Sequence, residues 1–98
     1  MPMIVHIPAP LRPYAHGLAR VELAGTPATL GQALDALWRA HPALRDRVLN
    51  DQGEVRQHVH LFVGNDDARR KGGLLMPAPP DCEITILPAV SGGATNEP

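Results

Sequence analysis

With 98 residues, 44% of them apolar and 19% charged, the chain has material for one hydrophobic core and one compact domain, with little left to enclose an active site. A formal net charge of -1 removes any broad electrostatic reason to bind nucleic acid or an anionic membrane. A lone cysteine, Cys82, excludes an internal disulfide; no stretch nears the roughly 20 apolar residues of a membrane span, and Met1 to His6 lacks the basic start of a signal peptide, so a cytoplasmic location is expected.

Met3 to Ile7 alternates, with Met3, Val5 and Ile7 on one side and Ile4 and His6 on the other, which predicts a strand. Pro8, Pro10 and Pro13 stop it and stiffen a long loop. A second strand is expected from Leu18 to Ala24, with Ala19, Val21 and Leu23 on its inner face and Arg20 and Glu22 outside. The two strands are close enough in sequence to form an antiparallel hairpin.

The main helix follows Thr29. Leu30, Ala33, Leu34, Leu37 and Trp38 fall at i, i+3, i+4, i+7 and i+8, the stripe of a helix packed on a sheet. Thr29 and Gln32 have the spacing of a capping box, and Trp38 is expected in the core or at its rim. His41-Pro42 ends this helix, since a residue before proline disfavours helical geometry. One further helical turn fits Ala43 to Leu49, and Asn50-Asp51-Gln52-Gly53 is a turn cluster.

His58 to Gly64 alternates again, with Val59, Leu61 and Val63 inward, and Asn65-Asp66-Asp67 breaks it. After a loop holding Gly72-Gly73, Pro77, Pro79 and Pro80, the last strand runs from Glu83 to Leu87 with Ile84 and Ile86 inward. The order strand, strand, helix, strand, strand gives a two-layer α+β domain in which the helix covers the apolar face of a mixed sheet. Pairing the first strand with the last at the sheet centre would make it ubiquitin-like, although periodicity does not fix that pairing.

Several residues invite a functional reading and have a plainer one. His58 and His60 share a strand face, but one thiol and scattered histidines give no four-ligand metal frame, so no metal is assigned. Asp66-Asp67 suits a turn, Arg12 a solvent-facing loop position, and Arg69-Arg70-Lys71 a solvated loop with a docking patch as the alternative. Cys82 has no sequence neighbour that would lower its pKa.

Beyond Leu87 the chain reads Pro88-Ala89-Val90-Ser91-Gly92-Gly93-Ala94-Thr95-Asn96-Glu97-Pro98, with nothing to bury strongly. The expected division is a domain over 1–88 and a flexible C-terminal arm over 89–98. By itself, a glycine pair near a terminus reads as a linker. In its context the chain resembles the MoaD/ThiS family of ubiquitin-like sulfur carriers. The resemblance covers nearly all of residues 3 to 93. It rests on Val5-His6-Ile7-Pro8 with Leu11-Arg12, Thr29 to Leu37, Val59-His60-Leu61-Phe62-Val63 and, most specifically, Glu83-Ile84-Thr85-Ile86-Leu87-Pro88-Ala89-Val90-Ser91-Gly92-Gly93. The long region around Asn50 to His58 looks more like carriers serving cysteine and related thiol biosynthesis than the shorter pterin-pathway ones.

This resemblance implies a ubiquitin-like β-grasp, with four to five strands on one main helix, and a carrier rather than an enzyme. An E1-like adenylating enzyme, the partner that uses ATP, would activate the Gly93 carboxylate, and a sulfur donor would convert it to a thiocarboxylate. A downstream synthase would then accept the sulfur, for cysteine or homocysteine, molybdopterin, thiamin or another metabolite. Gly92 and Gly93 are the implied site residues, and the chain itself would bind no cofactor. Two departures stand out. Residues 94–98 follow the diglycine, so a JAMM-type metallopeptidase would first have to remove them. Cys82 sits where the family has an acidic residue in a Gly-Asp-Glu turn. Other readings are a ubiquitin-like modifier conjugated through Gly93, or an inert β-grasp interaction module.

Overall fold

The first and last strands meet. In the computed structural model, which describes residues 3–88 apart from Ala24 and Thr26, β1 (Met3–His6) lies parallel to the strand Glu83–Pro88, with Val5 opposite Ile84. β2 (Arg20–Leu23) pairs antiparallel with β1 in the register Val5↔Val21. Two helices, α1 (Leu30–Ala40) and α2 (Pro42–Val48), precede β3 (Val59–Val63), β4 (Asp66–Asp67) and the final strand, β5. The sheet order is β2-β1-β5-β3-β4, a mixed β-grasp sheet with the helices on one face.

With one exception the expected inner rows are buried: Met3, Val5 and Ile7; Val21 and Leu23; Val59, Leu61 and Val63; Ile84 and Ile86. Ala19 departs from expectation and is exposed, because β2 begins only at Arg20. Against these rows α1 lays Leu30, Ala33, Leu34 and Leu37, all at most 1% exposed, with Trp38 at the rim. The Thr29 side chain accepts the Gln32 N–H at 3.2 Å, as a cap should. The reciprocal arm of the box is displaced by one residue: Gln32 Oε1 takes the N–H of Ala28 at 2.8 Å.

Three stretches are more ordered than their composition suggests. The proline loop folds into a 3₁₀ helix, Ala9–Ala15, which buries Leu11 and Ala15; proline's fixed φ suits such a turn as well as it opposes a ladder. His41-Pro42 ends α1 but does not end helix. Pro42 sits in the first turn of α2, where its missing N–H is no loss, and Leu44 and Val48 are buried. The further helical turn expected over Ala43 to Leu49 is thus a helix of two turns that starts at Pro42. Asp66-Asp67, expected as a turn, also pairs with Val63 and Phe62, and Gly64 at φ +61° makes the tight reversal.

The irregular chain between β4 and β5 is fixed to the start of α1. Leu30 N–H, one of the donors a helix leaves unused at its N-terminus, bonds Met76 C=O at 3.0 Å. Ala78 N–H bonds Ala28 C=O at 2.9 Å, and Met76 and Ala78 are buried. A Cβ on Gly31 would stand 3.2 Å from Leu74 O, so glycine sets how closely the loop approaches the helix.

A part-buried polar contact joins the end of the 3₁₀ helix to the α1–α2 corner. His16 and His41 meet through their Nδ1 atoms at 2.9 Å, and His41 is 7% exposed. Burial, and secondarily the charge of His16, hold the pKa of His41 below 6.5. The unfolded chain therefore takes up a proton more readily than the native one. Stability is full above the ordinary histidine value of 6.5 and falls as pH drops below it through the lower folded value. Urea midpoints should decline between pH 7 and pH 5, with a shallower slope in His41→Asn. Independently, Leu34→Ala should cost about 2–5 kcal/mol by denaturant melting, since Leu34 is 1% exposed against the sheet.

Candidate functional site

Gly92 and Gly93 lie outside the described residues, as does the expected arm over 89–98. What the structure describes is the strand that leads to them and the surface at its end. β5 runs between β1 and β3. Its last rung is Val59↔Pro88, one step beyond His60↔Leu87. Pairing with β1 stops earlier, at His6↔Thr85, so the end of β5 is held from the β3 side alone.

The helices cover one face of the sheet and leave the other open. At mid-sheet the open face carries Arg20, His6, Thr85 and Phe62 in one cross-strand row, and the His6 ring meets the Glu83 carboxylate. The row nearest the end of β5 is more apolar. Ile7 N–H bonds Ala19 C=O at 2.8 Å, which carries the β1–β2 register one step past His6↔Arg20. Continued once more, that register sets Leu18 beside Pro8, and the parallel register sets Pro8 beside Leu87. Leu18 is 45% and Leu87 46% exposed. Leu87, near the end of β5, is thus a large apolar side chain left open to solvent.

The remaining candidates do other work. Arg12 donates through Nε to Ile7 C=O at 3.1 Å, bracing the turn after β1. His58 is exposed and His60 half-buried. Among the described residues no group of three or more His, Cys, Asp or Glu could hold a metal. Among them, too, no helix is long and apolar enough to cross a membrane.

Arg69 is exposed, as expected of a solvated loop, yet its guanidinium also meets main-chain carbonyls. One of its terminal nitrogens lies 2.9 Å from Arg56 O, 2.8 Å from Gln57 O and 2.9 Å from Val59 O, the segment leading into β3. Neither neighbour in the run Arg69-Arg70-Lys71 marks it out, so sequence carries no signal for this role. A cavity of about 350 Å³ lies beside it, walled by Val55, Val59, Leu61, Ala68 and Leu74. Arg69 and Glu54 are its charged walls, and Arg69 is committed to carbonyls, so the cavity offers no nucleophile or acid–base pair.

The chain has relatives among known proteins. The ThiS family model matches residues 5–93, ending on Gly93 and leaving 94–98 beyond it. The sulfur carrier protein CysO of Mycobacterium tuberculosis is 33% identical over 95 residues, 95% of this chain and 100% of its own length. Small archaeal modifier protein 1 of Haloferax volcanii is 42% identical over 74 residues, 76% of this chain and 79% of its own. In structure, a chain of the BexX/CysO complex of Amycolatopsis orientalis superposes with a TM-score of 0.84 at 31% identity, covering 93% of this chain and 99% of that one.

Cys82 stands just before β5, partly buried, and burial raises its pKa. A thiol is nucleophilic only as thiolate. Alkylation by iodoacetamide at pH 7 should therefore be several-fold slower than for a free cysteine peptide, and unfolding in urea should abolish the difference.

Proposed function

Because the chain belongs to the ThiS family, we propose that it is a sulfur carrier whose working group is the Gly93 carboxylate, freed by removal of residues 94–98. The observation that carries this reading is the match to the carrier CysO along that protein's whole length, together with a family match that ends on Gly93. A carboxylate is a poor electrophile, so it must be activated before sulfur can enter. In an E1-like partner, a Gly93 carboxylate oxygen attacks the α-phosphorus of ATP and expels pyrophosphate. Hydrosulfide then attacks the acyl carbon, AMP leaves, and the thiocarboxylate carries sulfur to a biosynthetic acceptor.

The chain's own contribution is presentation. Gly92 and Gly93 lack Cβ atoms, so this end of the chain fits a narrow partner channel that other residues would block. The exposed Leu87 near the end of β5 gives the partner an apolar grip on the domain. The partner binds the nucleotide, and a JAMM-type metallopeptidase performs the trimming.

A second reading has support in the likeness to small archaeal modifier protein 1. There the ε-amine of a lysine, in place of sulfide, attacks the acyl-adenylate, giving an isopeptide bond and AMP. The two readings share activation and part at the acceptor.

The order of events follows from the chemistry. In the full sequence the Gly93 carbonyl is part of a peptide bond to Ala94, so trimming precedes adenylation. A chain ending at Gly93 should give an acyl-adenylate with ATP and a cognate E1-like enzyme, and then exchange one oxygen for sulfur when sulfide is added. The full chain should do neither before it is trimmed. Intact mass spectrometry follows each step. Equal adenylation of both chains, or a trimmed chain that never takes up sulfur, would remove the carrier reading; conjugates to lysine without a thiocarboxylate would favour the modifier.

A further inference from the structure

We infer that the free edge of β2 docks a second copy of this chain, the two β2 strands pairing antiparallel about Val21 so that two sheets become one. β2 is the outer strand of the order β2-β1-β5-β3-β4. In an antiparallel ladder, hydrogen-bonded pairs alternate with pairs that exchange no bond. The bond from Ile7 N–H to Ala19 C=O, at 2.8 Å, makes Ile7↔Ala19 a bonded pair. Val5↔Val21 and Met3↔Leu23 are then bonded as well, whereas His6↔Arg20 and Ile4↔Glu22 are not. The N–H and C=O groups of Arg20 and Glu22 therefore point away from β1. No described residue bonds them from the outer side.

Exposed sheet edges accept further strands, and soluble proteins commonly guard them with charge. Here the two charges have opposite sign. Arg20 and Glu22 are exposed on the open face, and neither side chain has a partner among the described residues.

The register selects the occupant. With a two-fold axis at Val21, Arg20 of each copy stands opposite Glu22 of the other. These are the residues whose backbone groups face outward, so each opposed pair exchanges two main-chain bonds. The same pairs set a guanidinium against a carboxylate on the open face, once on each side of the axis. Arg20 opposite Arg20, or Glu22 opposite Glu22, would also match the faces but would oppose like charges, which destabilises a sheet. Only a second copy supplies both charges at the required spacing by symmetry alone. On the helix-covered face, Leu23 of one copy comes beside Ala19 of the other, the inner-row residue that the single chain leaves exposed.

The pairing is independent of sulfur transfer and compatible with it. An axis normal to the sheet runs the two β5 strands in opposite directions, each separated from the junction by β2 and β1. Their ends lie on opposite sides of the joined sheet, so a partner that binds one does not meet the other.

The test is the oligomeric state of the full chain. Sedimentation velocity at low ionic strength, between about 10 µM and 1 mM, should show monomer giving way to dimer. Arg20→Glu and Glu22→Arg each turn attractive pairs into repulsive ones and should weaken dimerisation about tenfold or more. Combining the two substitutions restores opposite charges in the same register and should recover most of the natural affinity. Added salt should weaken the natural dimer. Melting temperatures of dilute samples should stay near the natural value in all variants, since neither side chain is used within the chain. Amide exchange at Arg20 and Glu22 should slow as concentration rises. A natural chain that stays monomeric over the whole range overturns the inference. So does a dimer indifferent to the single reversals, or one that the combined variant fails to restore. Protection of Arg20 and Glu22 that is equal at every concentration would put a segment of the same chain on this edge, and would overturn it too.

Discussion

The parallel pairing of β1 with β5 is the constraint on which the rest of the structure depends. Parallel neighbours cannot be joined by a tight turn, so the chain from β2 to β4 has to leave the sheet centre and return, and in doing so it covers one face. Val5 and Ile84, opposite each other in this pairing, are both fully buried. Placing β5 between β1 and β3 anchors the segment before the diglycine in the middle of the sheet. An edge strand would be held by one neighbour and could fray from the other side; β5 is held by two until its last residues.

Regular ladders do not hold the second half of the domain. From Ala68 to Cys82 the chain is 3₁₀ helix, turn and extended loop, and backbone groups otherwise left over fasten it. The spare donor of Leu30 takes Met76 C=O, Ala28 C=O takes Ala78 N–H, and Arg69 gathers three carbonyls. Each contact satisfies a polar group that would be costly to bury alone. The irregular half is thereby tied to α1 at one end and to β3 at the other.

These two modes of support explain what was legible in advance. Period-two rows such as Val59, Leu61 and Val63, and the helical stripe from Leu30 to Trp38, record burial on one face, and the structure buries them as expected. Pro42 was read as a stop because its ring opposes continuation of α1; the same ring suits the first turn of α2, and local sequence does not choose between the two. Met76 and Ala78 are core residues inside a proline-rich loop, where no periodicity exists to mark them. Arg69 is harder still, since a guanidinium bound to main-chain carbonyls leaves no trace in the identity of its partners. The diglycine was legible as a motif, whereas the turn closed by the Val59-to-Arg56 bond was not.

On the carrier reading, the same arrangement bears on how the chain would present its terminal carboxylate to a partner. Holding residues 89–93 in one conformation within a partner's channel costs about 1–2 kcal/mol per residue in backbone freedom alone. Glycine, small residues and a carboxylate recover little of that, because they have little apolar area to bury. The compensating energy has to come from elsewhere on the molecule. On that reading the open face would supply it near the end of β5, where Leu87 is nearly half exposed. Binding energy gained on a rigid surface is then spent on orienting a remote reacting group, as remote parts of substrates do in enzymes generally. This works only if surface and arm keep a fixed relation. A root that slid along β3 by two residues would leave the surface bound and the carboxylate misplaced. On that reading, a fixed relation between surface and arm matters to the chemistry as much as the glycines themselves.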